Sequence, residues 1–208
     1  KNKIKVIRYG FDPKSELNLF NPPVFPLPNA EKPRSIRIGT IGRLVPQKDY
    51  PTLLNAFSEL LKIDSRPLLY IIGDGRLKQE LQSLADQLEI GPAVTWLGRT
   101  KKIPQFLSSI DLFVLPSKYE GFGLVLLEAL ESHLPVIASN VSAIPEVLGP
   151  GYPGLVEPGN YRAFAEKISE FILQDSVDKE RIGDIGQSRL SFFSAVKMRQ
   201  KIDEVYAS

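Results

Sequence analysis

The sequence predicts an α/β fold, a doubly wound parallel sheet of about six strands with helices on both faces. Three observations point to it. From residue 35 onward, short β-branched runs alternate with longer helical patterns, as they do when crossover helices join parallel strands. The stretch TLLNAFSELLK (52–62) places Leu53, Leu54, Phe57, Leu60 and Leu61 on one helical face, the periodicity of a helix packed on a sheet. At 208 residues the chain is long enough for one sizeable domain, burying roughly 70% of the surface its unfolded chain exposes.

The elements follow in order. IKVIRYGFD is a short β-like run, and Asp12-Pro13 behind it signals a turn. NPPVFPLP (21–28) has four prolines in eight residues, which excludes helix and central strand and predicts an extended connector rather than core. A linker is placed at about 10–34, so that 1–34 is the end of a preceding domain with its connector and 35–208 is the main domain. Strands are expected at 35–42, 67–73, 93–98, 111–116, 135–139 and 154–157, and helices at 52–62, 76–88, 101–110, from Leu124, around 144–148, and at 160–174, 177–189 and 192–206.

Composition narrows the function classes. The 26 Lys plus Arg against 24 Asp plus Glu give a net charge of +2, without the basic asymmetry of a dedicated nucleic-acid binder. An anionic ligand must therefore be met locally. The absence of cysteine excludes disulfides and thiolate metal sites and fits a reducing compartment. No apolar run reaches about 18 residues, and KNKIK lacks the apolar core of a signal peptide. The chain reads as cytoplasmic.

In such sheets ligands sit at the carboxyl ends of strands. The first loop, GRLVPQK (42–48), offers Gly42 for close backbone approach, the planar fork of Arg43 and the point charge of Lys48, a set suited to a diphosphate; the alternative is a solvated basic loop. In GDGR (73–76) the glycine pair lacks a dinucleotide fingerprint. Asp74 and Gly75 are expected to cap the next helix, and Gly73 to line a pocket. After the third strand, Thr100 is expected to cap a helix from Lys101, with Pro104 tolerated in its first turn. Trp96 reads as core, and Leu97 is counted among the lining residues.

YEGFGLVLLEAL (119–130) is the most informative stretch. Gly121 and Gly123 around Phe122 free a turn, and a helix starting near Leu124 presents unpaired N–H groups and a partial positive charge, a ready anion site. Glu128 stands one turn further, about 6 Å along the axis on the same face. With a phosphate at the helix start, that carboxylate is placed for the hydroxyls of an attached ribose, and Glu120 for a sugar on the far side. Glu131 reads as the solvated face. The lone His133, near the helix end, is neither a metal site nor a catalyst.

Taken together, GRLVPQK, GDG, SSIDLFVLPSKYEGFGLVLLEAL, PVIASNVSAIPEV and GLVEPGN resemble the C-terminal domain of retaining glycosyltransferases of family 4, over about Ile36 to Leu173. VIRYGFD resembles the segment with which that family leaves its N-terminal domain. The resemblance implies a Rossmann-like half of a GT-B enzyme that binds a nucleoside-diphosphate sugar. It carries the E-x7-E pair onto Glu120, for donor-sugar hydroxyls, and Glu128, for the ribose. Arg43 and Lys48 fall on the diphosphate with the amides of Leu124 and Val125, and the backbone of Gly121, Phe122 and Gly123 faces the sugar. It further implies work without a metal or other cofactor, and a glycan or lipid-linked acceptor bound by an N-terminal domain that this sequence lacks. Peripheral membrane association of the whole enzyme and polysaccharide synthesis follow from the same likeness. The sequence departs from the family at Glu131-Ser132-His133, usually a small glycine-containing segment, and at Ser142-Ala143, often Gly-Gly. Two other readings use the same residues: a nucleotide-sugar epimerase of related architecture, and a non-catalytic module that binds nucleotide sugars.

Overall fold

The structure, a computed structural model, describes Ile7, Gly10, Phe11 and residues 25–29, 35–174 and 176–206. Strands β1 (Ile36–Ile41), β2 (Pro67–Ile72), β3 (Val94–Gly98), β4 (Leu112–Leu115), β5 (Val136–Ser139) and β6 (Leu155–Val156) form one sheet in the order β3-β2-β1-β4-β5-β6. Every pairing in it is parallel.

Both faces of the sheet are covered, which is why β2 and β4 are apolar throughout. All six residues of β2 are buried; Leu69 and Ile71 enter one core, and Leu68, Tyr70 and Ile72 enter the other. Helices α1 (Tyr50–Leu61), α2 (Lys78–Gln87) and α6 (Tyr161–Leu173) close the first core with Leu53, Phe57, Leu81, Phe164 and Ile168. Helices α3 (Ile103–Leu107), α4 (Leu124–Glu131) and α5 (Ile144–Leu148) close the second with Phe106, Leu126, Leu130, Ile144 and Val147. Gly39 of β1 lets α3 lie close: a Cβ there would stand 2.4 Å from Ile110 Cδ1 and 2.8 Å from Phe106. Helices α7 (Ser176–Ser188) and α8 (Ala195–Tyr206) end the described chain. Among the described residues no helix is long and apolar enough to cross a membrane.

The fold is the α/β sheet the sequence predicts, with five local corrections. The expected helix at 101–110 is only Ile103–Leu107. Pro104 has no N–H and must sit in the first turn, while Ser108 and Ser109 turn their hydroxyls back onto the carbonyls of Pro104 and Gln105. Helix α2 starts at Lys78 instead of residue 76, and the last helix at Ala195 instead of 192, because residues 189–193 form a 3-10 turn that buries Phe193 in the second core. A 3-10 turn at Pro46–Lys48 precedes α1. Finally, the part of the Pro-rich connector that is described is packed: Phe25 meets Phe106 edge to face at 5.8 Å, and the Tyr70 hydroxyl donates to Pro28 O at 2.7 Å. Proline denies the segment a place in the ladder but leaves its phenyl ring free to bury.

Most of the β-like run expected at IKVIRYGFD, and the Asp12-Pro13 turn, lie outside the described residues. Phe11 is described, and it forms a parallel bridge to Ser194. At the two departures from the resembled family the backbone keeps a glycine-like conformation, with φ of 55° at His133 and 54° at Ser142, a region that side chains disfavour.

Candidate functional site

The chain runs outward from β1 to β2 and β3, then returns to β4 on the other side of β1. Connections therefore diverge at the β1–β4 boundary, and the loops leaving these two strands meet at their carboxyl ends, where sheets of this kind form a ligand crevice. The two loops are tied directly. The Lys118 N–H donates to Gln47 O at 2.9 Å, the Gln47 amide donates to Tyr119 O at 2.9 Å, and Lys118 Nζ stands 3.2 Å from Asp49 Oδ1. At the centre Lys48 Nζ lies 2.5 Å from Glu120 Oε1.

Glycine spacing shapes the first loop. A Cβ on Gly42 would come within 3.1 Å of Lys48 Cε, one on Gly73 within 1.9 Å of Gly42 O, and one on Gly75 within 2.4 Å of Leu44 O. These glycines let the first and second loops pack backbone to backbone. The buried Tyr50 hydroxyl donates to Gly42 O at 3.0 Å, and burial pushes this phenol well above its ordinary range, so it stays a neutral donor. Lys48 closes the 3-10 turn, and Asp49, at φ 48°, swings the chain into α1. Arg43 is exposed and its side chain has no partner among the described residues.

The opposing loop carries Glu120, only 6% exposed. Its Oε1 accepts from both Lys48 and the fully buried Ser117, the latter at 2.7 Å. Beyond it Gly121 is exposed, and a Cβ there would meet nothing within 4 Å. The Phe122 ring turns inward and stacks edge to face on Phe193 at 5.6 Å, anchoring the turn. Gly123 at φ 76° precedes α4, and no side chain caps the helix. The N–H groups of Leu124 and Val125 have no acceptor among the described residues. Glu128 is half-buried on the same helix, about 6 Å below Leu124 along the axis.

The structure thus brings Gly42, Lys48, Glu120, Gly121, Gly123 and Leu124 together on the two loops, with Arg43 and Glu128 on the same loops' elements. Gly73 adjoins through the Gly42 carbonyl, whereas Leu97 lies in the edge strand β3, half-buried against the second core. Two capping expectations are corrected. Asp74 does not cap α2: the helix begins at Lys78, with Leu77 before it, and the Asp74 carboxylate accepts from the neighbouring Gly75 N–H instead. Thr100 does not cap α3 either; its hydroxyl accepts from Lys102, itself the residue preceding the helix. Trp96 is half-buried against the first core. His133 lies at the amino end of β5, away from the crevice, its ring against the Gln187 amide. Among the described residues no group of three or more His, Cys, Asp or Glu could hold a metal ion.

Sequence reasoning missed Ser117, Gln47 and Tyr50, and missed that Lys48 and Glu120 pair. Only Ser117 has a local signal, standing three residues before Glu120 in SKYE.

The amino end of the same strand pair carries a second charged pair. Arg37 of β1 holds Asp111 with two side-chain bonds, of 2.6 and 3.0 Å, and its own backbone N–H at 2.7 Å. That carboxylate raises the Arg37 pKa.

The chain is similar to proteins of known family. The profile of a family described as "Glycosyl transferases group 1" matches residues 27–189. The capsular polysaccharide biosynthesis glycosyltransferase CapM of Staphylococcus aureus is 30% identical over 173 residues, 81% of this chain and 45% of CapM. A GDP-mannose-dependent alpha-(1-6)-phosphatidylinositol monomannoside mannosyltransferase of Mycobacterium tuberculosis is 27% identical, over 82% of this chain and 47% of that protein. HepE of Anabaena, solved in complex with UDP and glucose, matches with a TM-score of 0.75 and 26% identity, over 84% of this chain and 48% of HepE. The chain spans about half the length of the curated relatives it matches. With the profile covering most of the sequence and the Rossmann-like sheet shared with solved relatives, the chain belongs to the glycosyl transferases group 1 family.

Proposed function

We propose that this chain is the nucleotide-sugar donor half of a retaining glycosyltransferase of two-domain GT-B architecture. The observation that carries the reading is the Lys48–Glu120 pair at the switch point, beside the uncapped start of α4. In this reading Arg43, Lys48 and the amides of Leu124 and Val125 hold the diphosphate. Glu128, one turn deeper, accepts from the ribose hydroxyls, and Glu120 accepts from hydroxyls of the donor sugar. As the bond between the anomeric carbon and the diphosphate oxygen breaks, negative charge grows on the leaving group. Fixed cations and a helix N-terminus stabilise that charge where it develops. The same groups take the place of a metal, so a chelator is expected to leave donor binding unchanged.

Two likenesses support the substrate class: HepE was solved with UDP and glucose, and the mycobacterial relative is named for GDP-mannose. Residues 1–34 are read as the end and connector of an acceptor-binding domain, and 35–208 as the donor domain. The acceptor is a glycan or lipid-linked saccharide, the setting polysaccharide synthesis at the cytoplasmic side of a membrane.

Titration calorimetry of the chain with UDP, GDP and the bare nucleosides tests this. A nucleoside diphosphate is expected to bind one to one and the nucleosides far more weakly. A folded chain that binds neither diphosphate refutes the reading. Retention is tested on the whole enzyme by the anomeric configuration of its product, and an inverted product refutes that part alone.

A further inference from the structure

Glu120 is held in an unusual way. No backbone hydrogen bond within the stretch from Ser117 to Gly121 closes it among the described residues; its backbone is tied to the other loop, by the Lys118 N–H to Gln47 O and by the Gln47 amide to Tyr119 O. The carboxylate is fixed instead by side chains, and both choose one oxygen: Lys48 at 2.5 Å and Ser117 at 2.7 Å both reach Oε1. The other oxygen, Oε2, has no partner among the described residues and is not among the buried polar atoms left unsatisfied, so it keeps solvent-accessible surface. Ser117 is fully buried and 72 residues separate Lys48 from Glu120.

Lys48 alone does not fix the carboxylate, because an ammonium is a point charge that either oxygen can satisfy. A hydroxyl is directional, and one enclosed at zero exposure has few rotamers to choose from. We infer that Ser117 is a positioning residue for donor recognition: by holding Oε1 together with Lys48, it presents Oε2 of Glu120 as the acceptor for one hydroxyl of the donor sugar. The inference rests on the reading of Glu120 as the sugar-side carboxylate. It assigns Ser117 an effect on the sugar and none on the nucleotide.

The test compares the affinity of the 208-residue chain for UDP with that for UDP-glucose, and for GDP with that for GDP-mannose, using whichever pair binds. The readout is the gain contributed by the hexose. Ser117→Ala is expected to reduce that gain about tenfold, the scale of a charged hydrogen bond, with diphosphate affinity unchanged. Ser117→Thr, which keeps the hydroxyl, is expected to restore it. Ser117→Cys, close in volume but a weak donor, is expected to behave as Ser117→Ala and stands in should the added methyl of Thr unfold the site. Equal losses for diphosphate and sugar nucleotide in Ser117→Ala and Ser117→Cys would show a merely structural serine and overturn the inference. Glu120→Gln separates the two claims. If it abolishes the hexose gain while Ser117→Ala does not, the positioning role falls and the reading of Glu120 stands; if it leaves the gain intact, both fall.

Discussion

The β1–β4 boundary carries a cation paired with a carboxylate at each end, and the two pairs are built differently. At the amino end Arg37 occupies both oxygens of Asp111 and adds its backbone N–H, so the carboxylate is filled from within. At the carboxyl end Lys48 and Ser117 crowd onto one oxygen of Glu120, and the second is left without a partner among the described residues. Exposure runs the opposite way to what solvation would favour. The filled pair is about one-third exposed on each side, and the half-filled pair 15% and 7%. A buried carboxylate with spare acceptor capacity is costly unless something else completes it. The filled pair fastens the sheet, and the half-filled one keeps the acceptor that the proposed donor sugar would use.

The sharpest way to break this contrast is Lys48→Met, which leaves Glu120 buried without its cation. It is expected to cost about 3 kcal/mol of stability in a denaturant titration and to abolish nucleoside diphosphate binding. Adding Glu120→Gln is expected to restore much of the stability and none of the binding. Next in size, Arg43→Ala and Glu128→Ala should each weaken diphosphate binding by about 1–3 kcal/mol. For Arg43→Ala the melting temperature without nucleotide should not move, since the side chain has no partner among the described residues.

A smaller effect is expected of Tyr50→Phe, about 1 kcal/mol for the lost bond to Gly42 O. It also has a pH signature. Burial raises the phenol of Tyr50, and that of Tyr152 to about 12, so both stay protonated in the folded state above pH about 10, where an unfolded tyrosine ionises. Their contribution is present in full below that pH and is lost as pH rises further. Urea midpoints should hold level to about pH 10 and then fall, less steeply in Tyr50→Phe. Smallest of all, Arg37→Ala should cost under about 1 kcal/mol, because the pair is over a third exposed on the arginine side, and leave nucleotide affinity as it was. A cost matching that of Lys48→Met would erase the distinction between the two ends.

What the sequence made legible was local. Leu53, Leu54 and Phe57 betray α1 by their spacing, and the start of α4 at Leu124 is written in Gly121 and Gly123, since a left-handed glycine followed by strong helix formers is a helix entry. What it hid was tertiary. Nothing near Lys48 announces Glu120, and nothing near Asp74 announces that its carbonyl accepts from Leu44. The connector misled for a related reason. Its prolines forbid regular structure, but Phe25 and Leu27 still pack against the second core.

The order of the strands has a further consequence, for how the protein comes to be folded. Lys48 and Glu120 are 72 residues apart, and the strands whose outgoing loops carry them become neighbours only after the excursion through β2 and β3 has been laid down. Parallel partners cannot meet through a local hairpin, and their contact waits on the closure of a long loop. An intermediate holding β1, β2 and β3 would have helices and half a sheet, yet no crevice. A ligand bound between these loops would therefore act as a clasp on the completed chain, slowing its opening and shielding it from proteolysis, while leaving the half-assembled state untouched.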